Sequence, residues 1–409
     1  MINSAISRKE KRFLYLSFFY IIYMIFPLFS DYSRIPNYIP GIVVVVSILC
    51  FYKDYINTKI LFWFICYAGA MFLLGLCGHR VYVNGLGLDT SYIWAIVIET
   101  AWILPSLMIM SVLLSFNNCC LYRIIAKGSL ILLSISFLYI LPMLTISKGY
   151  LRASLFSGDE LQKPMGLPDY SLMHAYTIVL LPLFWMVKNQ RGRDRFISLL
   201  LSILFSYIVI QTSVSTSIVI SVLMLLFVVI MNPNNKNISF VKFSILAFIL
   251  MILYEVGTFL WLVDILLPYF EGTAVEPKLL NLRDSMTLGY VTGDHLTVRM
   301  EVQKLSQTHF WTNPIFGYGA PGRHSKFWDI LGSMGVFVGF PFIMLLWTSL
   351  KKWTCISVSN EMRVYVIAEF VASFVFIYSK GIFSAEGWLF MTVIVPCIIM
   401  YQARKDALS

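Results

Sequence analysis

The stretch "SYIWAIVIETAWILPSLMIMSVLLS", residues 91–115, decides the class of fold. It runs for 25 residues with one side chain that is charged at neutral pH, Glu99. A helix of about 20 apolar residues is long enough to cross the hydrocarbon core of a bilayer. The stretch therefore predicts a transmembrane helix that carries a carboxylate within the membrane.

Apolar runs of this length recur along the whole chain of 409 residues, which is 59% hydrophobic and 13% charged and has a mean hydropathy of +0.78. Soluble domains carry about 25% charged residues, and a membrane β-barrel would show short alternating segments instead. We predict an all-α polytopic integral membrane protein with about twelve transmembrane helices. They are expected near 13–29, 38–52, 60–77, 91–115, 124–146, 171–187, 196–211, 214–231, 240–262, 328–349, 363–379 and 386–401.

The first run follows "RKEKR" at 8–12 and superficially resembles a signal peptide. No small-residue cleavage site comes after it, so we interpret it as a retained first helix. The chain has 31 Lys and Arg against 21 Asp and Glu, a formal net charge of +10. If the N-terminus is cytoplasmic, 19 of the 31 cations fall in inside segments, as the positive-inside rule requires. This bias predicts two cytoplasmic termini and explains most of the surplus without a nucleic-acid partner.

Two connecting segments are much longer than a membrane bundle needs. We predict a single membrane domain, 1–409, with a first long outer loop at 147–170 and a larger one at 263–327. The larger segment is long enough for several amphipathic helices on the membrane face.

One helix of the larger segment is visible in "LTVRMEVQKLSQTHFW", residues 296–311. Its apolar stripe, at helical spacing, consists of Val298, Val302, Leu305 and His309. Asp294 or Thr297 is expected to cap its start. "NP" at 313–314 should end it, because a residue before proline avoids the α region. The turn-forming "GYGAPGRHS" follows, and it places His324 about one turn before the tenth span.

Arginines of the outer segments are candidate anion ligands, because the guanidinium fork matches phosphate oxygens in two-point contact. They are Arg152, Arg283, Arg299 and Arg323. The alternative is that each extends to lipid headgroups.

His324 is a candidate general base, because histidine titrates near neutral pH. Ser325 and Asp329 are placed to orient it and are also candidate substrate contacts. A surface histidine is the simpler alternative, and a Ser-His-Asp hydrolase is disfavoured because no G-x-S-x-G pattern occurs there.

Other chemistries have little support. The chain has no D-x-D, H-E-x-x-H or Walker A pattern, so we expect neither a metal nor a cofactor. None of the seven cysteines lies in a long outer segment, so a disulfide framework is not expected. Glu99, Glu255 and Glu369 fall within predicted spans. Carboxylates in a bilayer can mark a transport path, and this alternative stays open.

The arginine helix, "NPIFGYG", "HS", Asp329 and the glycine pair 332 and 335 together resemble the bacterial O-antigen polymerase and O-antigen ligase superfamily. The specific motif covers about 297–339, and the hydropathy plan matches throughout. The resemblance implies a GT-C-like helical fold and an inner-membrane glycosyltransferase acting at the periplasmic face. It implies that Arg299 engages a lipid pyrophosphate and that His324 activates the acceptor hydroxyl. Arg152 would be a second phosphate contact.

One departure concerns the polar turn "QTSVSTS" at 211–217, where many family members carry an arginine. Arg152 or Arg283 would have to supply that charge. The leading hypothesis is a polymerase of repeat units carried as donor and acceptor on undecaprenyl pyrophosphate, in contact with membrane lipids and optionally with a chain-length regulator protein. The alternatives are a ligase that passes glycan to lipid A core, a lipid-linked oligosaccharide flippase, and a purely structural protein.

Overall fold

A computed structural model of the chain describes residues 6–26, 38–79, 91–146, 170–211, 215–231, 258–272, 276, 279–280, 283–284, 294–319, 325–357, 359–379 and 384–406. Throughout these ranges every regular element is a helix. In chain order they are α1 (Arg8–Ile25), α2 (Tyr38–Phe51), a 3₁₀ turn (Lys53–Tyr55), α3 (Thr58–Leu76), α4 (Tyr92–Phe116), α5 (Cys119–Ile146), α6 (Tyr170–Asn189), α7 (Gly192–Gln211), α8 (Ser215–Ile230), α9 (Thr258–Leu266), a 3₁₀ turn (Leu267–Tyr269), α10 (Asp294–Thr312), α11 (Lys326–Ile356), α12 (Asn360–Ser379), α13 (Ala385–Leu389), a π-helical turn (Phe390–Ile394) and α14 (Val395–Asp406).

Within the described residues, six helices are long and apolar enough to cross a membrane: α3, α4, α5 over Cys119–Pro142, α7, α11 and α12. Shorter apolar helices cover Ile39–Phe51, Thr216–Ile230 and Ala385–Tyr401. The expectation of an all-α membrane protein agrees with this architecture, and the count of about twelve stays a prediction. Of the predicted ninth span, 240–262, residues 240–257 lie outside the described part of the chain.

Apolar side chains cover the outside of the bundle. On α11, Val336, Phe340, Ile343 and Trp347 follow one another at helical spacing, and each is 40–56% exposed. Exposed stripes of this kind also run along α3, α7 and α12. A protein in water rarely tolerates such continuous apolar surface, so these stripes are the surfaces that face lipid.

The last apolar run forms the centre of the bundle. Residues 385–400 are all buried, through α13, the π turn and the start of α14. A helix that is hydrophobic on every side belongs inside other helices. Trp388 of this segment packs edge-on against Phe342 of α11.

The start of α1 and the two segments that connect α2 to α3 and α4 to α5 meet at one end of the bundle. Tyr52 Oη donates to Lys9 O at 3.1 Å, and Ser115 Oγ donates to Tyr55 O at 2.7 Å. Asn118 Nδ2 reaches Glu10 Oε1 at 2.8 Å. Two predicted spans separate each of these segments from the next. A chain that crosses the membrane back and forth returns to the same side after every second span, so these segments are expected at the same end. We call this end the basic end, after Arg8, Lys9 and Arg12.

Candidate functional site

The motif that suggests a function lies where α10 and α11 cross. Ser306 of α10 is fully buried, and its Oγ donates to Asp329 Oδ1 at 2.7 Å. A Cβ on Gly332 would lie 2.4 Å from Ser306 O, so only glycine fits at this crossing. Small residues let helix backbones approach closely in a membrane protein. The crossing is therefore a close backbone contact fastened by one charged hydrogen bond.

The predicted helix at 296–311 is confirmed, but one of its two candidate caps and one residue of its predicted apolar stripe are wrong. It begins at Asp294, so Thr297 lies within the helix and does not cap it. Leu305 of the predicted apolar stripe is 47% exposed, whereas Ser306 is buried. The face of α10 that carries Ser306 therefore packs against α11, where the Ser306 side chain bonds to Asp329 and its backbone approaches Gly332.

The loop after α10 pairs with a break in α11. Gly335 has φ +64° and ψ −167° inside the helix, a conformation open almost exclusively to glycine. Backbone carbonyls on the N-terminal side of the break accept from the loop. Tyr318 N–H donates to Gly332 O at 2.8 Å, and Gly319 N–H donates to Ser333 O at 3.0 Å.

Backbone amides on the other side of the break donate in return. Val336 N–H donates to Pro314 O at 2.8 Å, and Phe337 N–H donates to Ile315 O at 3.0 Å. A helix broken at membrane depth needs such replacements, because no water is present to satisfy its freed backbone groups. We call this arrangement of α10, residues 313–319 and the first half of α11 the interlock. It makes "NPIFGYG" a rigid part of the protein.

Ser325 and Asp329 anchor the start of α11. Ser325 is fully buried and caps the helix, because its Oγ accepts from Trp328 N–H at 3.2 Å. Asp329 is 1% exposed, and its Oδ2 accepts from Ser325 N–H at 3.2 Å. Both side chains are predicted substrate contacts, but in the structure both form hydrogen bonds within the protein. Asp329 thereby fixes the position of Ser325, the residue that directly follows His324 in the chain.

The other predicted site residues are distributed as follows. Arg299 belongs to α10 by its backbone, and its side chain lies outside the description. Arg152, Arg323 and His324 lie outside the described residues. Arg283 forms an ion pair through Nε with Asp264 Oδ1 at 2.9 Å, with both side chains about half exposed. Its charge is thus partly compensated already, which makes it a weaker substitute for the arginine missing at 211–217.

A buried ion pair beside the interlock was not predicted. Lys326 Nζ lies 2.7 Å from Glu99 Oε1, and both side chains are less than 5% exposed. Tyr67 Oη of α3 donates to the same carboxylate oxygen at 3.0 Å. Lys326 Nζ also lies 5.9 Å from the Trp102 ring centre. The sequence offers a signal in Glu99, but the predicted outer loop, 263–327, includes Lys326 and so gives no sign of its burial.

A second contact joins α3 to the same region. His79 Nε2 lies 2.9 Å from Ser333 O, in the turn just before the break in α11. Together with Tyr67, this contact ties the α3 end of the bundle to the interlock.

An apolar groove of about 410 Å³ runs along α12 between α6 and α8. Its lining on α12 extends from Val364 to Val375. The neighbouring Phe374 ring packs against Phe327, with ring centres 5.4 Å apart. The groove therefore leads along the bundle towards the start of α11, and its surface would accept a hydrocarbon chain.

Comparison with known proteins adds no identification. No protein-family model matches the chain, and no curated protein matches it. Among the described residues, no three His, Cys, Asp or Glu side chains come together in a way that could hold a metal ion.

Proposed function

We propose that the protein is an inner-membrane glycosyltransferase that polymerises oligosaccharide repeat units carried on undecaprenyl pyrophosphate into O-antigen or capsular polysaccharide at the periplasmic face. The observation that carries the proposal is the interlock. A loop that only connects two helices does not need to be fixed by four backbone hydrogen bonds to a broken helix. A loop that presents reacting groups needs such fixing, because catalysis depends on preorganised geometry.

The interlock accounts for the motif of the family that the sequence resembles. Asp329, Gly332 and Gly335 form its internal contacts, and "NPIFGYG" forms its outer half. Within the proposal, Ser325 and Asp329 are positioning residues. His324 is attached directly to the anchored Ser325, and Arg299 belongs to the helix that the interlock fastens.

The proposed reaction is a direct displacement at the anomeric carbon of the donor glycan. The acceptor hydroxyl oxygen attacks that carbon while His324 takes the hydroxyl proton. The bond from the carbon to the pyrophosphate oxygen breaks, and the lipid pyrophosphate leaves with its charge held by Arg299 and Arg152. Displacement on one face of the sugar inverts the configuration. The apolar groove along α12 supports a lipid-linked substrate, because it offers a surface for a polyprenyl chain.

The test uses a strain that lacks the protein and is complemented with single variants. We expect Arg299→Ala and His324→Ala each to abolish long-chain glycan, because loss of one preorganised group lowers rates by about 10²–10³. Lys304→Ala is the matched control, since Lys304 is an exposed cation on the same helix. Gel electrophoresis of the surface glycan, with an immunoblot of the membrane fraction, gives the answer.

A normal ladder of chain lengths from either variant would show that the substituted residue is not catalytic and would refute the proposed site. The strain without the protein separates the related activities. A missing polymerase leaves one repeat unit on the core, whereas a missing ligase leaves none and accumulates polymer on the carrier lipid.

A further inference from the structure

A groove between α1 and α2 at the basic end has the polarity of a phospholipid. Its volume is about 520 Å³, and Arg8, Lys9 and Arg12 line it. All three cations are exposed. This groove is separate from the interlock and plays no part in the proposed glycosyl transfer.

Among the described residues, no carboxylate forms an ion pair with any of the three cations. In the described part of the chain, the ion pairs join Arg283 to Asp264 and Lys326 to Glu99. Glu10 is the carboxylate nearest in sequence, but it is 8% exposed and turned inwards, where it accepts from Ser7 N–H and Asn118 Nδ2. Three like charges in one groove repel one another until an anion binds.

The groove changes from charged to apolar along its length. On α1, Arg8 and Arg12 are followed at helical spacing by Leu16, which also lines the groove, and by Phe19 beyond it, which is 47% exposed. Side chains three or four residues apart on a helix share a face. On α2, Phe51 lines the groove beside the cations, next to Tyr52, and is 70% exposed. A ligand lying along this face meets cations first and then hydrocarbon-like surface.

The cationic end is held in shape. Tyr52 Oη of the following turn donates to the carbonyl of Lys9 at 3.1 Å. Lys9 Nζ lies 4.5 Å from the ring centre of Tyr55, a cation–π distance that leaves ammonium hydrogens available. These contacts fix the shape of the cationic end of the groove. Flexible cations that each extended separately to lipid headgroups would not line the same groove.

We propose that this groove binds one anionic phospholipid, with its phosphate on Arg8, Lys9 and Arg12 and an acyl chain along Leu16 and Phe19. Arginine forks and a lysine match phosphate oxygens. Anionic lipids are favoured over zwitterionic ones because the lining contains no carboxylate to receive a choline or ethanolamine ammonium. The apolar continuation favours a lipid over free phosphate.

Native mass spectrometry of the purified full chain in detergent tests the proposal. Phosphatidylglycerol and phosphatidylcholine with identical acyl chains are titrated, and retained lipid is counted. We expect one phosphatidylglycerol to be retained preferentially. Arg8→Gln/Arg12→Gln should weaken its retention about 25-fold, since each cation near an anionic lipid contributes about fivefold. Arg8→Lys/Arg12→Lys, which keeps the charge, should lose much less.

The matched control is Lys11→Gln/Lys59→Gln, which removes two exposed cations that do not line the groove. Equal retention of the two lipids by the natural chain, or an equal loss in the control variant, would overturn the proposal. A competition experiment with inorganic phosphate distinguishes a lipid headgroup from free phosphate as the ligand. Displacement of the lipid by equimolar phosphate would show that the site recognises phosphate alone and not a lipid. Thermal unfolding of every variant verifies that it is folded.

Discussion

At the scale of single residues, Lys326 shows how a position beside the motif acquires a structural function. Its Nζ lies 2.7 Å from Glu99, and both side chains are almost completely buried. A buried charge is tolerated when a partner and further hydrogen bonds compensate its lost hydration. Tyr67 supplies one such bond to Glu99. The pair fastens the start of α11 to α3 and α4, two residues after His324.

We predict that Lys326→Met destabilises the protein by about 3–5 kcal/mol, because it leaves the Glu99 carboxylate buried without its cation. Glu99→Gln/Lys326→Met should recover much of that loss, since no uncompensated charge then remains. Thermal unfolding in detergent measures both. Lys351→Met is the control, because Lys351 is an exposed cation of the same helix.

The same variants test the alternative that the protein is a transporter. If Glu99 carried ions or substrate, Glu99→Gln/Lys326→Met would be stable and inactive. If the pair is structural, the double variant should still make long-chain glycan. A stable double variant that makes none would count against the structural interpretation of Glu99.

At the scale of elements, α11 is two helical pieces joined at Gly335 and held in place by a loop. The break frees backbone groups on both sides, and residues 314–319 satisfy four of them. A Cβ on Gly335 would stand 2.2 Å from Ile315 O. The glycine is therefore required twice, for its positive φ and for the close approach of the loop.

We predict that Gly335→Ala destabilises the protein by more than the ~1–3 kcal/mol of backbone strain alone, because the loop must also move. It should lose long-chain glycan as well. Gly69→Ala is the matched control. A Cβ at Gly69, inside α3, meets nothing within 4 Å, so its effect should stay within about 1 kcal/mol. Comparable melting temperatures for the two variants would contradict the interlock.

At the scale of the whole molecule, α3 and α11 give the bundle two distinguishable ends. His79, just beyond α3, contacts Ser333 near the start of α11. Cys77 caps the end of α3 and is exposed, while Cys355 is exposed at the far end of α11. The two thiols therefore mark opposite ends, and the distribution of Lys and Arg predicts which end faces outwards.

We predict that a membrane-impermeant maleimide labels Cys77 in cells whose outer membrane alone is permeabilised. Cys355 should react only after the inner membrane is opened. Two single-cysteine chains and a gel-shift assay make the measurement, and each chain is the control for the other. The reverse pattern would place the interlock in the cytoplasm and end the proposal of a periplasmic reaction.

The sequence by itself determined the helical membrane class, the end of a helix before the Asn313–Pro314 pair and a long helix that begins near 328. These follow from hydropathy, spacing and proline, which act over a few residues of chain. It also provided the candidate arginines and His324, because residue type limits chemistry.

Only the tertiary structure decided what Ser306, Lys326 and Gly335 do. In the sequence, Ser306 resembles an ordinary polar helix residue and Lys326 resembles a cation of an outer loop. In the structure both are buried, Ser306 against Asp329 and Lys326 against Glu99. His79 and Ser333 are 254 positions apart, and no local pattern encodes their contact. Such pairings depend on which faces pack together, because the energy of a buried charge or a broken helix is set by the neighbours that packing supplies.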